Sequence, residues 1–125
     1  MKTSKELREQ AEAEVTTLSV DEAIALHGRD DVVFVDLREA NEADEHGRVP
    51  DAFPCPRGVL EFWMDQTSDF AQPVFGQDRQ FVFFCAGGGR SALATKTAQD
   101  MGRKRVAHVA GGFNAWKAAG GPTTD

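Results

Sequence analysis

The feature that most constrains the fold of this chain is an unbroken apolar stretch, residues 81–84, that leads directly into Cys85 and a glycine-rich loop. Successive side chains of a strand point to opposite faces, so a strand that is apolar at every position must be covered on both faces. Residues 91–101 then show helical spacing, and Gly102 provides a stop signal. A buried strand that turns straight into a helix is typical of a parallel sheet with helices packed on it.

The rest of the chain alternates between strand-like and helix-like segments. A capping box at Ser19 and Glu22 marks the start of one helix. The pattern predicts helices over residues 4–14, 20–27, 39–46, 58–65 and 113–119, short strands over residues 32–35 and 106–109, and an extended stretch at residues 53–54. This alternation predicts a single α/β domain over residues 15–125, preceded by a helical extension at residues 1–14.

Length, charge and cysteine usage argue against several classes of protein. The 125 residues suffice for one domain of ordinary size, and the formal net charge of −6 argues against a nucleic-acid-binding surface. The longest apolar run, residues 81–86, is far shorter than the roughly twenty residues of a membrane-spanning helix. The N-terminus shows no apolar export segment, and the two cysteines have neither disulfide-framework nor metal-site spacing. We therefore expect a cytoplasmic protein that binds no metal, nucleic acid or membrane.

The negative charge is concentrated in the first part of the chain. Residues 1–51 carry 14 acidic and 6 basic side chains, whereas residues 52–125 carry 6 acidic and 8 basic ones. The part that contains Cys85 is therefore slightly positive. The overall acidity of the chain does not argue against an anionic substrate at that site.

The loop after residue 84 has the composition of an anion-binding site. Backbone N–H groups of a glycine-rich loop can converge on one point, and the N-terminus of the following helix adds a partial positive charge. Arg90 adds a full positive charge beside them. These features depress the pKa of a cysteine thiol, which is about 8.5 when free. We expect Cys85 to be a reactive thiolate without a histidine base, because His27, His46 and His108 lie outside this motif.

Each cysteine also has an alternative interpretation. Cys85 could simply end a buried strand, since a lone cysteine after an apolar run is usually a small core residue. A distant histidine could pair with it, as in papain-like enzymes. Three consecutive glycines followed by an arginine favour the reactive thiol, because a simple turn needs neither. Cys55 lies between two prolines without such a loop, and we interpret it as an inert core residue, with a second redox thiol as the alternative.

Four short motifs occur in an informative order along the chain. They are residues 36–39 (Asp-Leu-Arg-Glu, with Glu42), 47–52 (Gly-Arg-Val-Pro-Asp-Ala), 85–91 (Cys-Ala-Gly-Gly-Gly-Arg-Ser) and 111–116 (Gly-Gly-Phe-Asn-Ala-Trp). Each motif alone is weak, but in this order and spacing they resemble the single-domain rhodaneses over roughly residues 15–121. The resemblance implies a three-layer domain, in which a five-stranded parallel sheet has helices on both faces.

The resemblance also implies an activity and a set of site residues. Rhodaneses take a sulfane sulfur from a donor such as thiosulfate, hold it as a cysteine persulfide and pass it to a thiophilic acceptor. Carried over, Cys85 is the nucleophile and Arg90 is the second catalytic residue. The donor is a small anion, the acceptor is cyanide or a thiol, including a protein thiol, and no cofactor is needed beyond the covalent persulfide. Five further loop residues would surround the transferred sulfur: Ala86, Gly87, Gly88, Gly89 and Ser91.

Four residues outside the loop are candidates for the wall of the pocket: Asp36, Arg38, Arg57 and Trp63. Asp36 and Arg38 follow a neighbouring predicted strand, whose carboxyl end shares an edge of the sheet with Cys85. Each candidate also has a structural alternative. Asp36 and Arg38 could form an ion pair or a cap, Arg57 a solvated charge, and Trp63 part of the core.

The chain departs from the family pattern at three positions. Its second motif has Arg48 in place of the usual histidine and Asp51 in place of a glycine. Asp51 must adopt a positive φ if that glycine does, and aspartate tolerates this better than most residues. Ala86 stands where the thiosulfate-type loops carry arginine, which removes a charge that would attract thiosulfate.

Two other functions compete with the sulfurtransferase interpretation. Phosphatases and arsenate reductases hold an oxyanion in a similar loop, but phosphatases place five residues between cysteine and arginine, whereas Cys85 and Arg90 have four between them. The missing residue removes up to about 3.5 Å of chain and one N–H donor, which suits a single sulfur better than a tetrahedral oxyanion. Some domains of this fold lack the cysteine and serve as binding or regulatory modules. Because Cys85 and its loop are intact, we favour the sulfurtransferase.

Overall fold

The computed structural model describes all 125 residues and shows an α/β fold built on one sheet. Its five strands lie in the order β1-β5-β4-β2-β3, and each adjacent pair is parallel. The predicted five-stranded parallel sheet is therefore confirmed. The strands are β1 (Thr17–Leu18), β2 (Val32–Asp36), β3 (Phe53–Pro54), β4 (Gln80–Phe84) and β5 (Val106–Val109).

Helices cover both faces of the sheet, as expected. The predicted capping box is present, since the Ser19 hydroxyl accepts the N–H of Glu22 and the Glu22 carboxylate accepts the N–H of Ser19. None of the α-helices combines the length and apolar character that a membrane-crossing helix needs. The helices are α1 (Ser4–Glu14), α2 (Val20–Leu26), α3 (Ala40–His46), α4 (Leu60–Met64), α5 (Gly89–Asp100) and α6 (Gly112–Ala118), with 3₁₀ turns at Arg57–Val59 and Pro73–Gly76.

The alternation of side chains along β4 divides the core into two layers. Phe83 points into the layer formed with α4 and α5, where Ala94 of α5 is buried. Phe84 points into the opposite layer, which contains Trp116 of α6 and the buried face of α2. Cys85, one residue further, returns to the α4–α5 layer. The nucleophile candidate is thus directed toward the helix that follows it.

The structure differs from the sequence-based expectation at the shortest elements. β1 has two residues, Thr17–Leu18, which are too few to show an alternating pattern, and no strand is predicted there. The 3₁₀ turn at Pro73–Gly76 is likewise too short to show helical periodicity. α5 begins at Gly89, before the predicted start at residue 91, because Gly88 adopts a φ of 105° that lets the chain turn sharply into the helix.

Candidate active site

A tight loop joins the end of β4 to α5, and α6 holds this loop in place. The N–H of Phe113 donates to the carbonyl oxygen of Cys85 at 2.7 Å, and the N–H of Asn114 donates to that of Ala86 at 3.1 Å. Only glycine allows this approach at position 112, because a Cβ on Gly112 would lie 2.4 Å from the Cys85 oxygen. The start of α6 therefore binds the carbonyl side of the loop and leaves its later N–H groups available to the sulfur.

The Cys85 sulfur is surrounded by this loop, and the residue is only 1% exposed. The Gly88 N–H donates to Sγ at 3.1 Å, and the Ser91 hydroxyl oxygen lies 3.7 Å from Sγ. Burial raises the pKa of the thiol, but hydrogen bonds from Ser91 and Gly88 and the charge of Arg90 outweigh it. The pKa of Cys85 therefore lies below its ordinary value. A larger thiolate fraction at a given pH makes Cys85 a better nucleophile than an ordinary buried thiol.

Arg90 is held in place by a carboxylate from α3. Its Nη1 lies 2.8 Å from Oε2 of Glu42, and its Nη2 lies 2.9 Å from Oε1. This two-point pairing lowers the pKa of Glu42 to about 2 and raises that of Arg90. Because a fork-to-fork pair fixes the plane of the guanidinium, Arg90 acts on Cys85 from a defined position. The sequence motif contains Glu42, but its pairing with Arg90 was not predicted.

Helix α1 brings further positive charge to the same loop. A Cβ built on Gly89 would lie 3.4 Å from Nη1 of Arg8, so the Arg8 guanidinium rests against the loop backbone. Lys5, Arg8 and Arg90 line an open cleft of about 450 Å³ between α1 and the start of α5, and no acidic residue belongs to its lining. Arg8 also pairs with Glu12 at 2.8 Å, which orients its side chain. Lys5 pairs with Glu9 at 3.8 Å, so each cation of the cleft has a carboxylate partner outside the lining, and the cationic groups themselves lie beside the Cys85 loop.

Asp36 and Arg38, two of the candidates for the pocket wall, have side chains that face away from the Cys85 loop. Along β2, Val35 faces the α4–α5 layer, so the next side chain, Asp36, faces the opposite layer from Cys85. Arg38 pairs with Asp36 at 2.8 Å, and its guanidinium lies 4.2 Å from the ring centre of Phe113 in α6. The two side chains form a buried ion pair that packs beneath α6, which is the structural alternative considered for them.

Arg57 and Trp63 lie on the α4–α5 side of the sheet but contact other groups. Arg57 donates to Glu61 at 2.8 Å and to the Thr97 hydroxyl at 3.3 Å, which connects the α4 region to α5. Trp63 packs edge-on against Phe53 of β3, with ring centres 6.1 Å apart. The structure thus assigns both side chains to packing around α4 and joins neither to the Cys85 loop by a hydrogen bond.

His108, which lies outside the loop motif in the sequence, contacts the Cys85 loop in the structure. His108 of β5 is 2% exposed, and its Nδ1 lies 3.0 Å from the hydroxyl oxygen of Ser91, a member of the Cys85 loop. The available signal was a histidine inside an otherwise apolar predicted strand. Its proximity depends on β5 lying beside β4, which is a property of the sheet order.

The similarity of this chain to known proteins agrees with this geometry. Residues 19–119 match the model described as Rhodanese-like domain. The chain belongs to the rhodanese-like family. This rhodanese-like chain is 36% identical over 96 residues to thiosulfate sulfurtransferase 16 of Arabidopsis thaliana, with 72% of the chain and 78% of that relative covered. It spans 58% and 50% of the length of two other curated relatives that it matches.

Two solved structures share the rhodanese-like fold. A Rhodopseudomonas palustris protein of unknown function, described as a possible tyrosine phosphatase, is 52% identical with a TM-score of 0.97, and 99% of this chain and 96% of that one are covered. A rhodanese-like domain protein from Staphylococcus aureus is 25% identical with a TM-score of 0.68, covering 89% and 100% of the two chains. The family model begins at residue 19, after α1, so the match does not include the helix that carries Arg8.

Two departures from the usual rhodanese motifs are accommodated locally. Asp51 has a φ of 65°, in the left-handed region that aspartate tolerates better than most residues. The Arg48 side chain pairs with Asp44 of α3, and the Arg48 backbone pairs with that of Thr124. Both changes lie in the loop after α3.

Proposed function

We propose that this chain is a sulfurtransferase that carries a sulfane sulfur as a persulfide on Cys85. The observation that carries the proposal is the buried thiol that accepts the Gly88 N–H at 3.1 Å inside a glycine-rich loop. Arg90 and the Ser91 hydrogen bonds add to this effect, and together they lower the pKa of Cys85 despite its burial. Family membership and relatives described as sulfurtransferases support the same function.

Both chemical steps balance without an external oxidant or reductant. In the first, the Cys85 thiolate attacks the outer sulfur of a donor such as thiosulfate, a new S–S bond forms, and sulfite leaves with the electron pair of the old one. In the second, cyanide or a thiolate attacks the terminal sulfur, and the Cys85 thiolate leaves with its electron pair. The products are thiocyanate or a new persulfide. We therefore propose no cofactor beyond the persulfide itself.

The loop supplies stabilisation where the negative charge develops. The first N–H groups of a helix have no partner within that helix, and here they belong to Gly89, Arg90 and Ser91 of α5. Donors that are already oriented stabilise a developing anion at little reorganisation cost, and this is usually a large catalytic contribution. We propose that these groups, with the backbone of Ala86 and Gly87, hold the terminal sulfur of the persulfide.

The charge around the loop fits a small anionic donor. Ala86 contributes no charge, but Lys5, Arg8 and Arg90 line the adjacent cleft. We propose that this cleft attracts the donor, and that the acceptor is cyanide or a thiol, including a protein thiol. Both cysteines are free, and a reducing compartment such as the cytoplasm would keep the Cys85 thiol available.

A phosphatase is the second candidate, because the 52%-identical Rhodopseudomonas palustris protein is described as a possible tyrosine phosphatase. Two features of this site favour it less. Cys85 is only 1% exposed within a loop that has four residues between it and Arg90, which leaves little room for a tetrahedral phosphoryl group inside the loop, whereas a sulfurtransferase needs to place only one sulfur atom there. Both terminal nitrogens of Arg90 already donate to Glu42, so the fork that would clasp a phosphate is occupied by a carboxylate.

Intact-mass analysis separates these functions. The protein is incubated with thiosulfate, mercaptopyruvate and a polysulfide in turn, and we expect a mass increase of one sulfur atom with at least one donor. The adduct should be absent in Cys85→Ala and present in Cys55→Ala, and para-nitrophenyl phosphate should not be hydrolysed. Hydrolysis without an adduct would establish the phosphatase instead, and the absence of both would indicate a non-catalytic binding module.

A further inference from the structure

His108 is the centre of a hydrogen-bond chain that runs from the exposed Thr17 on the edge strand to the buried Cys85 sulfur. Its Nε2 lies 3.0 Å from the Thr17 hydroxyl of β1, and its Nδ1 lies 3.0 Å from the Ser91 hydroxyl of α5. The Ser91 oxygen lies 3.7 Å from Sγ of Cys85 and 3.2 Å from the carbonyl oxygen of Gly88. Sheet order produces this chain, because β5 lies between β1 and the strand that delivers Cys85.

The surroundings of His108 favour the neutral form of its imidazole. Burial lowers its pKa, and the two charged neighbours, both from α1, oppose each other: Glu12 favours the protonated ring and Arg8 disfavours it. The other polar partners of the ring, Thr17 and Ser91, are uncharged hydroxyls. A neutral imidazole has one N–H and one acceptor nitrogen, so it donates to one hydroxyl and accepts from the other.

The two tautomers have opposite consequences for Ser91, whose hydroxyl carries a single hydrogen. With the proton on Nε2, Nδ1 accepts the Ser91 hydrogen, and Ser91 can then only accept a hydrogen from the Cys85 thiol. With the proton on Nδ1, the imidazole donates to the Ser91 oxygen, and the Ser91 hydrogen is free to turn toward Sγ. Only the second arrangement suits a thiolate, which has no hydrogen to give and is stabilised by donors.

We propose that His108 is a positioning residue for Cys85, whose Nδ1–H holds the Ser91 hydroxyl so that its hydrogen faces the sulfur of the thiolate. The neutral carbonyl of Gly88 also lies near that hydrogen, but a charged acceptor makes the stronger bond. Thr17 supports the arrangement by donating its hydroxyl hydrogen to Nε2, which places the ring proton on Nδ1. The consequence for sulfur transfer rests on the proposed function of Cys85, whereas the effect on its ionisation does not.

The test measures the ionisation of Cys85 from the ultraviolet absorbance of the thiolate and from the pH dependence of its alkylation by iodoacetamide. Burial raises the pKa of Cys55 to about 12, so Cys55 does not interfere. In Ser91→Ala we expect the pKa of Cys85 to rise by about one unit, which corresponds to the loss of a hydrogen bond to a charged group. His108→Leu keeps the Ser91 hydroxyl but no longer holds it toward Sγ, so the pKa of Cys85 should rise by a smaller amount. Adding His108→Leu to Ser91→Ala should produce no further rise.

A conservative variant separates positioning from packing. His108→Asn places an amide donor near the position of Nδ1 and should recover most of the shift seen in His108→Leu. Thr17→Val is a nearly isosteric change on an edge strand and should raise the pKa of Cys85 by a smaller amount than His108→Leu does. This variant keeps the proposal testable even if His108→Leu fails to fold. An unchanged pKa in these variants, or His108→Asn behaving as His108→Leu, would overturn the proposal.

The tautomer itself can be observed in the unmodified protein. The nitrogen chemical shifts of the His108 ring distinguish a proton on Nδ1 from one on Nε2, and we expect it on Nδ1 at a pH where Cys85 is ionised. A proton on Nε2 in that state would contradict the proposal. None of these measurements uses a sulfur donor, so their failure is distinguishable from a failure to form the persulfide.

Discussion

The two cysteines of this chain share a location in the core but differ in chemistry. Cys55 is 0% exposed and Cys85 1% exposed, and both belong to the α4–α5 layer. Burial raises the pKa of Cys55 to about 12, whereas the pKa of Cys85 lies below its ordinary value because hydrogen bonds and Arg90 outweigh its burial. Burial alone therefore does not decide whether a thiol is inert.

A nearby arginine does not separate the two cysteines either. The charge of Arg57 lowers the pKa of Cys55, but burial dominates there. The sulfur of Cys55 approaches only the carbonyl oxygen of Pro56, at 4.0 Å, and an acceptor cannot stabilise a thiolate. Cys85 instead accepts the N–H of Gly88 at the start of a helix. The decisive difference is the set of N–H and O–H donors that the loop and α5 direct at one sulfur.

The largest expected effect is the selective labelling of one cysteine in the native protein. Iodoacetamide at neutral pH should modify Cys85 and leave Cys55 unmodified, because alkylation requires the thiolate. Peptide mass mapping after labelling identifies the site. Cys85→Ala should abolish native labelling, whereas Cys55→Ala should retain it at the original rate. Labelling of Cys55 at a rate similar to that of Cys85 would remove the contrast between the two sites.

The second-largest effect concerns the arginine near each cysteine, Arg90 for Cys85 and Arg57 for Cys55. We expect Arg90→Ala to slow persulfide formation by about tenfold or more, since it removes a charge beside the thiolate and leaves Glu42 without its partner. Arg57→Ala should change the rate less than about twofold and mainly affect stability. Stopped-flow or quenched mass analysis with one donor gives both rates.

Arg90→Lys is the matched control for this comparison. It keeps the charge but loses the two-point geometry with Glu42, so an intermediate rate is expected. Equal rates in Arg90→Ala and Arg57→Ala would mean that Arg90 has no special role in the reaction.

Most of the fold was predictable because its signals are local. The apolar residues 81–84 and the capping box at Ser19 can be read from neighbouring residues, and both elements are present. The two-residue strand β1 has no such signal. It exists because Leu18 pairs with Val109 of β5, so its position is set by a strand far along the chain.

The candidate site was only partly predictable, because some of its contacts join residues that are distant in the sequence. The Cys85 loop is contiguous in the sequence, and its geometry follows from a buried strand, glycines and a helix start. The pairing of Arg90 with Glu42 joins residues 48 positions apart, and His108 reaches Ser91 only through the sheet order. The candidate Asp36 shares the sheet edge, as expected, but strand alternation directs its side chain to the other layer.

The third effect compares two adjacent glycines of the loop. Gly88 has a φ of 105°, which an alanine adopts only with strain, whereas Gly87 has no positive φ and nothing lies within 4 Å of where its Cβ would stand. Gly88→Ala should lower the free energy of unfolding by about 1–2 kcal/mol and raise the pKa of Cys85 by displacing its N–H donor. Chemical denaturation and the alkylation profile measure the two effects.

Gly87→Ala serves as the internal control for Gly88→Ala. It changes the same loop by the same methyl group and should leave both stability and the pKa of Cys85 nearly unchanged. If the two substitutions behave alike, the backbone conformation at position 88 is not what directs the donor to Sγ.

The smallest effect concerns acid stability, through the carboxylate that holds Arg90. The pKa of Glu42 is lowered from 4.5 to about 2 by Arg90, so its ionised form stabilises the fold. A depressed pKa contributes stability that is fully present above the unfolded value and is lost as the pH falls through the folded one, here between about 5 and 2. Glu42 and Arg90 side chains are 27% and 38% exposed, which limits the contribution to about 1 kcal/mol. Urea denaturation across this range should show a steeper loss in the wild type than in Glu42→Gln, and parallel curves would mean that Glu42 positions Arg90 without stabilising the fold.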